Sequence, residues 1–210
     1  MTLLMSKIFR IKINEQKELE SVYAQSLDKL NNFFDIRWEQ NKPKVYIVSD
    51  RETAESLRGK QTPDWIVGWN GDGGAFVLDK DIFLNTKNTN RDNDDYKMLI
   101  MHELAHLYFK IVTGGKTQPN WLWEGTSILA SGQAEKWNKP AEFRSFLDNK
   151  DVYSEAGHAL LLLTRQFGKE KFIQMLKNYK TYDGDFSGLF KNTYDMELTY
   201  ATFEGLIKHQ

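Results

Sequence analysis

Residues 99–109 read LIMHELAHLYF, and this stretch places His102 and His106 four positions apart in an otherwise apolar run. A segment that is apolar on nearly all sides predicts a buried helix. Residues four apart on a helix point the same way, so the two imidazoles can bind one metal ion. Glu103 projects about 100° around the axis from His102. Its carboxylate can take a proton there from a metal-bound water.

The competing interpretation is that both histidines are ordinary core residues with polar partners. The chain has only 4 histidines, and two of them stand at ligand spacing around a glutamate. Burying these three groups without partners would cost several kcal/mol. The spacing therefore favours a metal site.

A third ligand is predicted in the stretch WLWEG (121–125), where Glu124 follows His106 by 18 positions on the next predicted helix. Two histidines and one glutamate leave the fourth tetrahedral position open, which distinguishes a catalytic zinc from a structural one. Considered alone, Glu124 could equally be a solvated helix residue. With the upstream pair, we expect one Zn²⁺ per chain, held by His102, His106 and Glu124.

The composition excludes several classes of function. The 210 residues include 28 basic and 29 acidic ones, so no strong field draws the chain to nucleic acid or to an anionic membrane. The absence of cysteine excludes disulfides, thiolate ligands and cysteine nucleophiles. No apolar stretch reaches the length of a membrane span. We expect neither nucleic acid nor a membrane as a partner.

The first residues bear on the compartment. The stretch MTLLMSKIFRIKI (1–13) has only short apolar pieces, which Lys7, Arg10 and Lys12 interrupt. It therefore lacks the apolar core of a secretion signal. If this is the native start, the sequence predicts a cytoplasmic protein, whereas prior removal of a signal would make it a secreted one.

Hydrophobic periodicity predicts an α+β chain with a small mixed sheet in its first half and helices in its second. The predicted elements of the first half are a helix over 15–34, a strand over 44–50, a helix over 50–59 with Asp50 as its N-cap and Gly59 as its stop, and strands over 64–70 and 74–85 joined by the turn NGDGG (70–74). The predicted helices that follow are 94–113 (ending at Gly114 and Gly115), 120–132, 140–148, 152–167, 169–180 and 195–208.

These elements predict a single domain over 1–210. An α/β lobe, 1–115, ends in the site helix, and a helical lobe, 116–210, follows it. The glycine-containing stretch GGKTQP (114–119) is the linker candidate between them.

The stretch HELAHLYFKIVT (102–113), followed by WLWEGTSIL (121–129), resembles the active-site region of the alanyl-aminopeptidase-type gluzincins, a family of zinc metallopeptidases. The gap to Glu124 is one residue shorter than in that family. The resemblance implies a thermolysin-like zincin fold with the active site in the cleft between the two lobes. It also implies zinc-dependent hydrolysis of a peptide or protein substrate, with Glu103 as the general base.

The resemblance continues into DVYSEAGHALLLLTRQFGKEKFIQMLKNY (151–179), which is similar to the family's Y-x-K-G segment and the helices after it. The family's tyrosine donates a hydrogen bond to the oxyanion, so the resemblance implies that role for Tyr153. Glu155, Ala156 and Gly157 depart from the family's lysine and glycine. A tyrosine that only packs at a helix start is the alternative.

The amine-binding G-x-M-E-N motif of the family's exopeptidases is missing. Its counterpart is GGAFVLDKD (73–81), where Ala75, Phe76 and Val77 replace the acidic group. The choice between endopeptidase and exopeptidase therefore stays open. We expect this stretch at the sheet edge, where main-chain hydrogen bonds can hold an extended peptide.

Two other classes of function stay open: a non-catalytic zinc-binding relative that uses the cleft to bind peptides or proteins, and a self-inhibited form whose own chain fills the cleft. His158 is a packed or capping histidine, or else a substrate contact. His209 stands at the C-terminus, where chains fray. Ile128 replaces an aspartate that braces the first histidine in some zinc peptidases, and Thr126 and Ser127 are candidate substitutes.

Overall fold

The computed structural model describes residues 17–71, 74–87 and 89–208. They form an α+β structure that is mostly helical and has a small three-stranded sheet, as the sequence predicts. The strands are β1 (Lys44–Val48), β2 (Gly68–Gly71) and β3 (Gly74–Leu78). The helices are α1 (Lys17–Phe34), α2 (Arg51–Arg58), α3 (Lys80–Leu84), α4 (Asn93–Val112), α5 (Asn120–Ser131), α6 (Gln133–Lys136), α7 (Val152–Phe167), α8 (Lys169–Tyr179), α9 (Phe186–Tyr194) and α10 (Tyr200–Lys208), with a 3₁₀ helix at Phe146–Asp148.

Helix α4 is buried along most of its length, as its apolar sequence predicts. A capping box starts it: the Asp92 carboxylate accepts the Asp95 N–H, and the Asp95 carboxylate accepts the Asp92 N–H, both at 2.9 Å. Gly114 and Gly115 follow its last turn with positive φ angles of 67° and 90°, which only glycine adopts without strain. The capping box therefore determines where the helix begins, and the two glycines determine where it ends.

The sheet is mixed, as the sequence predicts, with strand order β1-β3-β2. β3 pairs with β1 in parallel and with β2 antiparallel. Ala75 and Val77 of β3 are fully buried, and the strand packs against α4. Among the described residues, β2 pairs on one side only and forms an edge of the sheet beside α4. The expectation that the stretch 73–81 forms the edge is therefore wrong, because β3 is the central strand.

Helices α5 and α7 pack against each other at backbone distance. A Cβ added at Gly125 would lie 3.0 Å from the Ala156 Cβ, and a Cβ added at Gly157 would lie 2.2 Å from Ile128 Cγ2. Side chains larger than hydrogen do not fit at either glycine without movement of a helix. The two glycines therefore fix how α5 and α7 lie relative to each other.

All three predicted strands are shorter than expected, and the one predicted over 44–50 ends at Val48. The strand predicted over 74–85 ends at Leu78, because the Asp79 carboxylate accepts the Asp81 N–H at 3.0 Å and caps α3. The strand predicted over 64–70 begins only at Gly68. Before it, the Arg51 guanidinium donates to the carbonyls of Pro63, Asp64 and Ile66 and holds a turn instead (2.6–3.4 Å).

The helix predicted over 140–148 is wrong except for the 3₁₀ turn at its end. The buried Glu155 carboxylate accepts the N–H groups of Arg144, Ser145 and Phe146, at 3.0–3.1 Å, so these donors are not free for a helix ladder. Helices α3, α6 and α9 are absent from the predicted elements, and α10 starts at Tyr200 rather than at 195.

Some sequence expectations fall outside the described residues: the secretion-signal argument on 1–13, the middle of the turn NGDGG, and His209. Within the part of the chain that the structure describes, we find no helix with both the length and the apolar character needed to span a membrane.

Candidate metal centre

Two helices bring the three predicted ligands together. His102 and His106 stand one turn apart on α4, with ring planes at 89°, and Glu124 comes from the second turn of α5. The Glu124 Oε2 atom lies 3.3 Å from His102 Nε2 and 3.5 Å from His106 Nε2. One candidate ligand atom from each residue lies within 4.8 Å of the other two, and both histidines are buried.

These distances suit a zinc ion. Bonds of about 2.0–2.1 Å at tetrahedral angles separate two zinc ligands by about 3.3–3.4 Å, close to the separations of Glu124 from each histidine. Glu124 Oε2 is also buried, and apart from these two imidazole nitrogens it has no partner among the described residues. A buried carboxylate oxygen without a partner is rare and unfavourable. The geometry and the donor types therefore both fit a divalent cation such as Zn²⁺.

The hydrogen-bond partner of each Nδ1 atom determines the tautomer of that histidine. His102 Nδ1 lies 2.8 Å from Gln133 Oε1, which can only accept, so the ring proton belongs on Nδ1. His106 Nδ1 lies 2.9 Å from Ser127 Oγ, and that hydroxyl donates its own proton to the Trp123 carbonyl. Both Nε2 lone pairs are therefore left for a metal.

The Trp123 indole N–H gives independent support for this tautomer of His106. It lies 3.3 Å from His106 Nε2 and donates to it, so this nitrogen carries no proton. A bound ion would take the same lone pair. The indole also covers the ring, with the two ring centroids 5.0 Å apart, and so helps to exclude water from the centre.

Charge in the metal-free cluster is shared among the ligands. Burial lowers the pKa of His106 to about 4, so this ring is neutral. Burial opposes the charge on His102 and Glu124 as well, but their close contact and mutual attraction raise the pKa of His102 and hold that of Glu124 well below its usual value. A cation bound here would replace the His102 proton as the partner of Glu124.

Glu103 lies beside the three ligands and is 5% exposed. Burial raises the pKa of its carboxyl to about 7; the His102 charge and the Asn70 amide oppose this shift and the Glu124 charge adds to it. A Cβ at Gly68 would lie 2.6 Å from Glu103 Oε1, so only glycine on β2 leaves room for the carboxylate. Lys110 donates to Asn70 Oδ1 at 3.2 Å and orients that amide.

Tyr153, at the start of α7, lines the same cleft as the three ligands and Glu103. Its side chain is 45% exposed and lies edge-on to Trp65 at 6.3 Å. Burial of the phenol oxygen, and then the charges of Glu124 and Glu103, raise its pKa above the usual value, so the hydroxyl keeps its proton. The structure thus places a neutral hydrogen-bond donor near the candidate metal position.

The cleft that contains these residues has a volume of about 940 Å³. Its walls come from the sheet edge and the turn before it, the start of α4, and the helices α5 to α7. The lining residues away from the ligands include Arg58, Trp65, Gly68, Trp69, Asn70, Phe83, Arg91, Leu99, Lys136 and Trp137.

Other sequence candidates lie elsewhere. His158 is buried within α7 and does not line the cleft. Thr126 and Ser127 were the candidates to replace the bracing aspartate. Thr126 donates to the Leu122 carbonyl instead. Ser127 contacts His106, the second histidine, rather than the first. Sequence reasoning missed Gln133 and Asn70 altogether. Gln133 directly follows Gly132, which has a left-handed backbone conformation and ends α5. In the sequence, that glycine predicts a helix end but does not indicate a contact with His102.

Comparison of the chain with protein-family models, with curated proteins and with solved structures gives no match.

Proposed function

We propose that this chain is a zinc-dependent peptidase that cleaves peptide bonds with an activated water. The observation that supports this most directly is Glu124 Oε2, which is buried, has no other partner among the described residues, and lies from two imidazole nitrogens at the distance that separates two ligands of one zinc ion. His102, His106 and Glu124 would hold the ion. A bound zinc ion supplies the Lewis acidity that lowers the pKa of water and polarises a carbonyl.

Glu103 is the proposed general base. A carboxyl with a pKa of about 7 is well matched to proton transfer near neutral pH. Glu103 would take a proton from the attacking water and deliver it to the leaving amine. Asn70 and Gly68 hold its carboxylate in place from the sheet side.

Tyr153 is the proposed donor to the oxygen that becomes negative when the carbonyl is attacked. Its raised pKa means that it can donate a hydrogen bond across the working pH range. A correctly placed donor of this kind contributes about two to three orders of magnitude to the rate.

The sheet edge supports a peptide as the substrate. β2 pairs on one side only among the described residues, and Gly68, Trp69 and Asn70 line the cleft. An extended peptide can add to such an edge through main-chain hydrogen bonds. A sheet edge, a buried site helix and a helical lobe around one cleft is also the arrangement of a thermolysin-like zincin, and we propose that fold for the chain.

Metal analysis followed by a digest tests the proposal. Protein purified without added zinc is expected to contain about one zinc per chain and to cleave members of a mixed peptide library. The variant Glu103→Gln is the matched control, since it should keep the metal and lose nearly all turnover. Absence of bound metal, with no binding on titration, would overturn the proposal, and so would wild-type turnover by Glu103→Gln.

A further inference from the structure

Arg91 lines the cleft two residues before the start of α4, away from the proposed zinc ligands. Its guanidinium carbon is 4.6 Å from the centre of the Phe83 ring, and both residues line the cleft. Its Nη1 atom is buried, and none of the described residues accepts a hydrogen bond from it. Buried N–H groups nearly always have an acceptor, so an acceptor for Arg91 is missing.

The carboxylate that attracts Arg91 within the protein is already engaged. Asp95 attracts the charge of Arg91. However, Asp95 Oδ1 lies 2.8 Å from the Lys136 ammonium, and Asp95 Oδ2 accepts the Asp92 N–H at 2.9 Å. Asp95 therefore completes the cap of α4 and an ion pair. Among the described residues, Arg91 forms no salt bridge of its own.

Helix geometry gives the distance from the metal centre to the start of α4, which Arg91 precedes by two residues. α4 begins at Asn93, nine residues before His102, and a rise of about 1.5 Å per residue makes this about 14 Å along the axis. An extended peptide advances about 3.3 Å per residue. A chain lying in the cleft therefore reaches from the centre to the start of α4, next to Arg91, in about four residues.

The direction of such a chain follows from β2. Val67, just before β2, accepts the Leu78 N–H, and the Leu78 carbonyl accepts the Tyr96 hydroxyl near the start of α4. Asn70 contacts Lys110 farther along α4, so β2 runs in the same direction as α4. A peptide added antiparallel to β2, in the sense that β3 already shows, runs towards the start of α4. Its C-terminal part then lies at Arg91.

We propose that Arg91 is a specificity-determining residue that binds a carboxylate of the substrate on the C-terminal side of the cleaved bond. That carboxylate belongs either to an Asp or Glu side chain or to the C-terminus of the peptide. A guanidinium binds either group through paired N–H···O bonds, which carry both strength and direction. The position relative to a cleaved bond rests on the proposed function, whereas the carboxylate site itself does not.

A titration that needs no turnover tests the inference. Full-length protein carrying Glu103→Gln is titrated with an acetylated alanine hexapeptide and followed by tryptophan fluorescence, since Trp65, Trp69 and Trp137 line the cleft. The peptide is used as the free acid, as the amide, and as the amide with one Glu or one Gln. We expect one acidic form to bind about 10- to 100-fold more tightly than its neutral twin.

Arg91→Gln in the same background should abolish that difference. Arg144→Gln is the matched control for lost charge, because Arg144 is exposed and paired with Glu142 outside the cleft; it should keep the full difference. Tighter binding of the free acid than of the amide identifies the peptide C-terminus as the carboxylate. Tighter binding of the Glu peptide than of the Gln peptide identifies an acidic side chain. Equal affinities for acidic and neutral peptides, or equal discrimination with Arg91→Gln, would overturn the inference.

Two further results keep the inference separate from the proposed function. If the wild-type protein binds no zinc and cleaves nothing, the proposed function fails, while the titration still decides the role of Arg91. If Arg91→Gln does not fold, Arg91→Lys replaces it, since it keeps the charge and loses the forked geometry. Discrimination by Arg91→Lys that equals that of the parent chain would contradict the paired N–H···O contact proposed for the guanidinium.

Discussion

His102 Nδ1 lies 2.8 Å from Gln133 Oε1, and the Ser131 hydroxyl donates to the same oxygen at 3.0 Å. Gln133 stands only nine positions after Glu124, and Ser127 lies between them. One short segment, 124–133, therefore supplies the third candidate ligand and the acceptors that orient both histidines. A shift of this segment would alter all three proposed zinc contacts together.

Loss of either acceptor is expected to weaken zinc binding without abolishing it. Ser127→Ala and Gln133→Leu each remove the group that holds one Nδ1 proton, and partners of this kind are worth about 10- to 100-fold in metal affinity. Competition with a chromophoric chelator measures the effect. Thr126→Val is the control, because its buried hydroxyl donates only to the Leu122 carbonyl. Unchanged affinity in both variants would contradict the tautomer assignment.

Gly68→Ala is expected to separate metal binding from turnover. The added methyl would lie 2.6 Å from Glu103 Oε1, so the carboxylate has to move away from its position. We expect zinc content to stay near the wild-type level and kcat to fall about 100-fold or more, since a displaced base no longer reaches the attacking water. Gly205→Ala, where a methyl meets nothing within 4 Å, is the control and should leave kcat unchanged.

Glu103→Gln is expected to stabilise the metal-free protein at alkaline pH. The pKa of Glu103 is about 7 in the folded chain against 4.5 as the usual value, so the fold favours the neutral carboxyl. That contribution is complete below pH 4.5 and is lost as the pH rises through 7. At about 1.4 kcal/mol per pKa unit, the variant should gain about 3 kcal/mol at pH 8 and less than about 1 kcal/mol at pH 5.

Urea unfolding with a chelator present, at both pH values, measures this difference. An equal gain at pH 5 and pH 8 would show that the buried charge of Glu103 is not its cause. Tyr96→Phe is a suitable comparison, because the tyrosine is buried on the same helix and donates to the Leu78 carbonyl. Its effect should not change between these pH values, since its pKa lies far above both.

Tyr153→Phe is expected to lower kcat by about 100-fold and to leave KM and zinc content close to wild type. The substitution removes the hydroxyl and keeps the ring that packs on Trp65. A loss that appears only in KM would instead assign the phenol to substrate binding. Tyr200→Phe is the control, since its hydroxyl bonds to Asp148 away from the cleft.

Local signals in the sequence account for much of what could be predicted. Asp50 caps α2 and the left-handed Gly59 ends it, as expected. Gly114 and Gly115 follow the end of α4, as expected. Hydrophobic periodicity also correctly predicted a mixed sheet in the first half and helices in the second. These features depend on residues a few positions apart, so the printed order of residues contains the information. The predicted ligands also lie together, because helical spacing fixes two of them.

Contacts between distant residues account for the errors. Glu155 takes three backbone donors from 144–146 and prevents the helix predicted there. Arg51 binds the carbonyls of 63–66 from another element and shortens a predicted strand. Gln133 reaches a histidine 31 positions away. No periodicity in the sequence reports such contacts, because they form only when the elements have packed.

The glycine contacts between α5 and α7 divide the cleft into a constant side and an adjustable one. Glu124 precedes Gly125, and Tyr153 lies one turn before Gly157, so the packed glycines prevent either residue from sliding past the other. The turn 63–66 also contributes to the wall of the cleft, and its carbonyls accept hydrogen bonds from the Arg51 side chain. For the proposed peptidase, we therefore expect changes in that turn and in β2 to alter the choice of substrate, while α5 and α7 stay as they are.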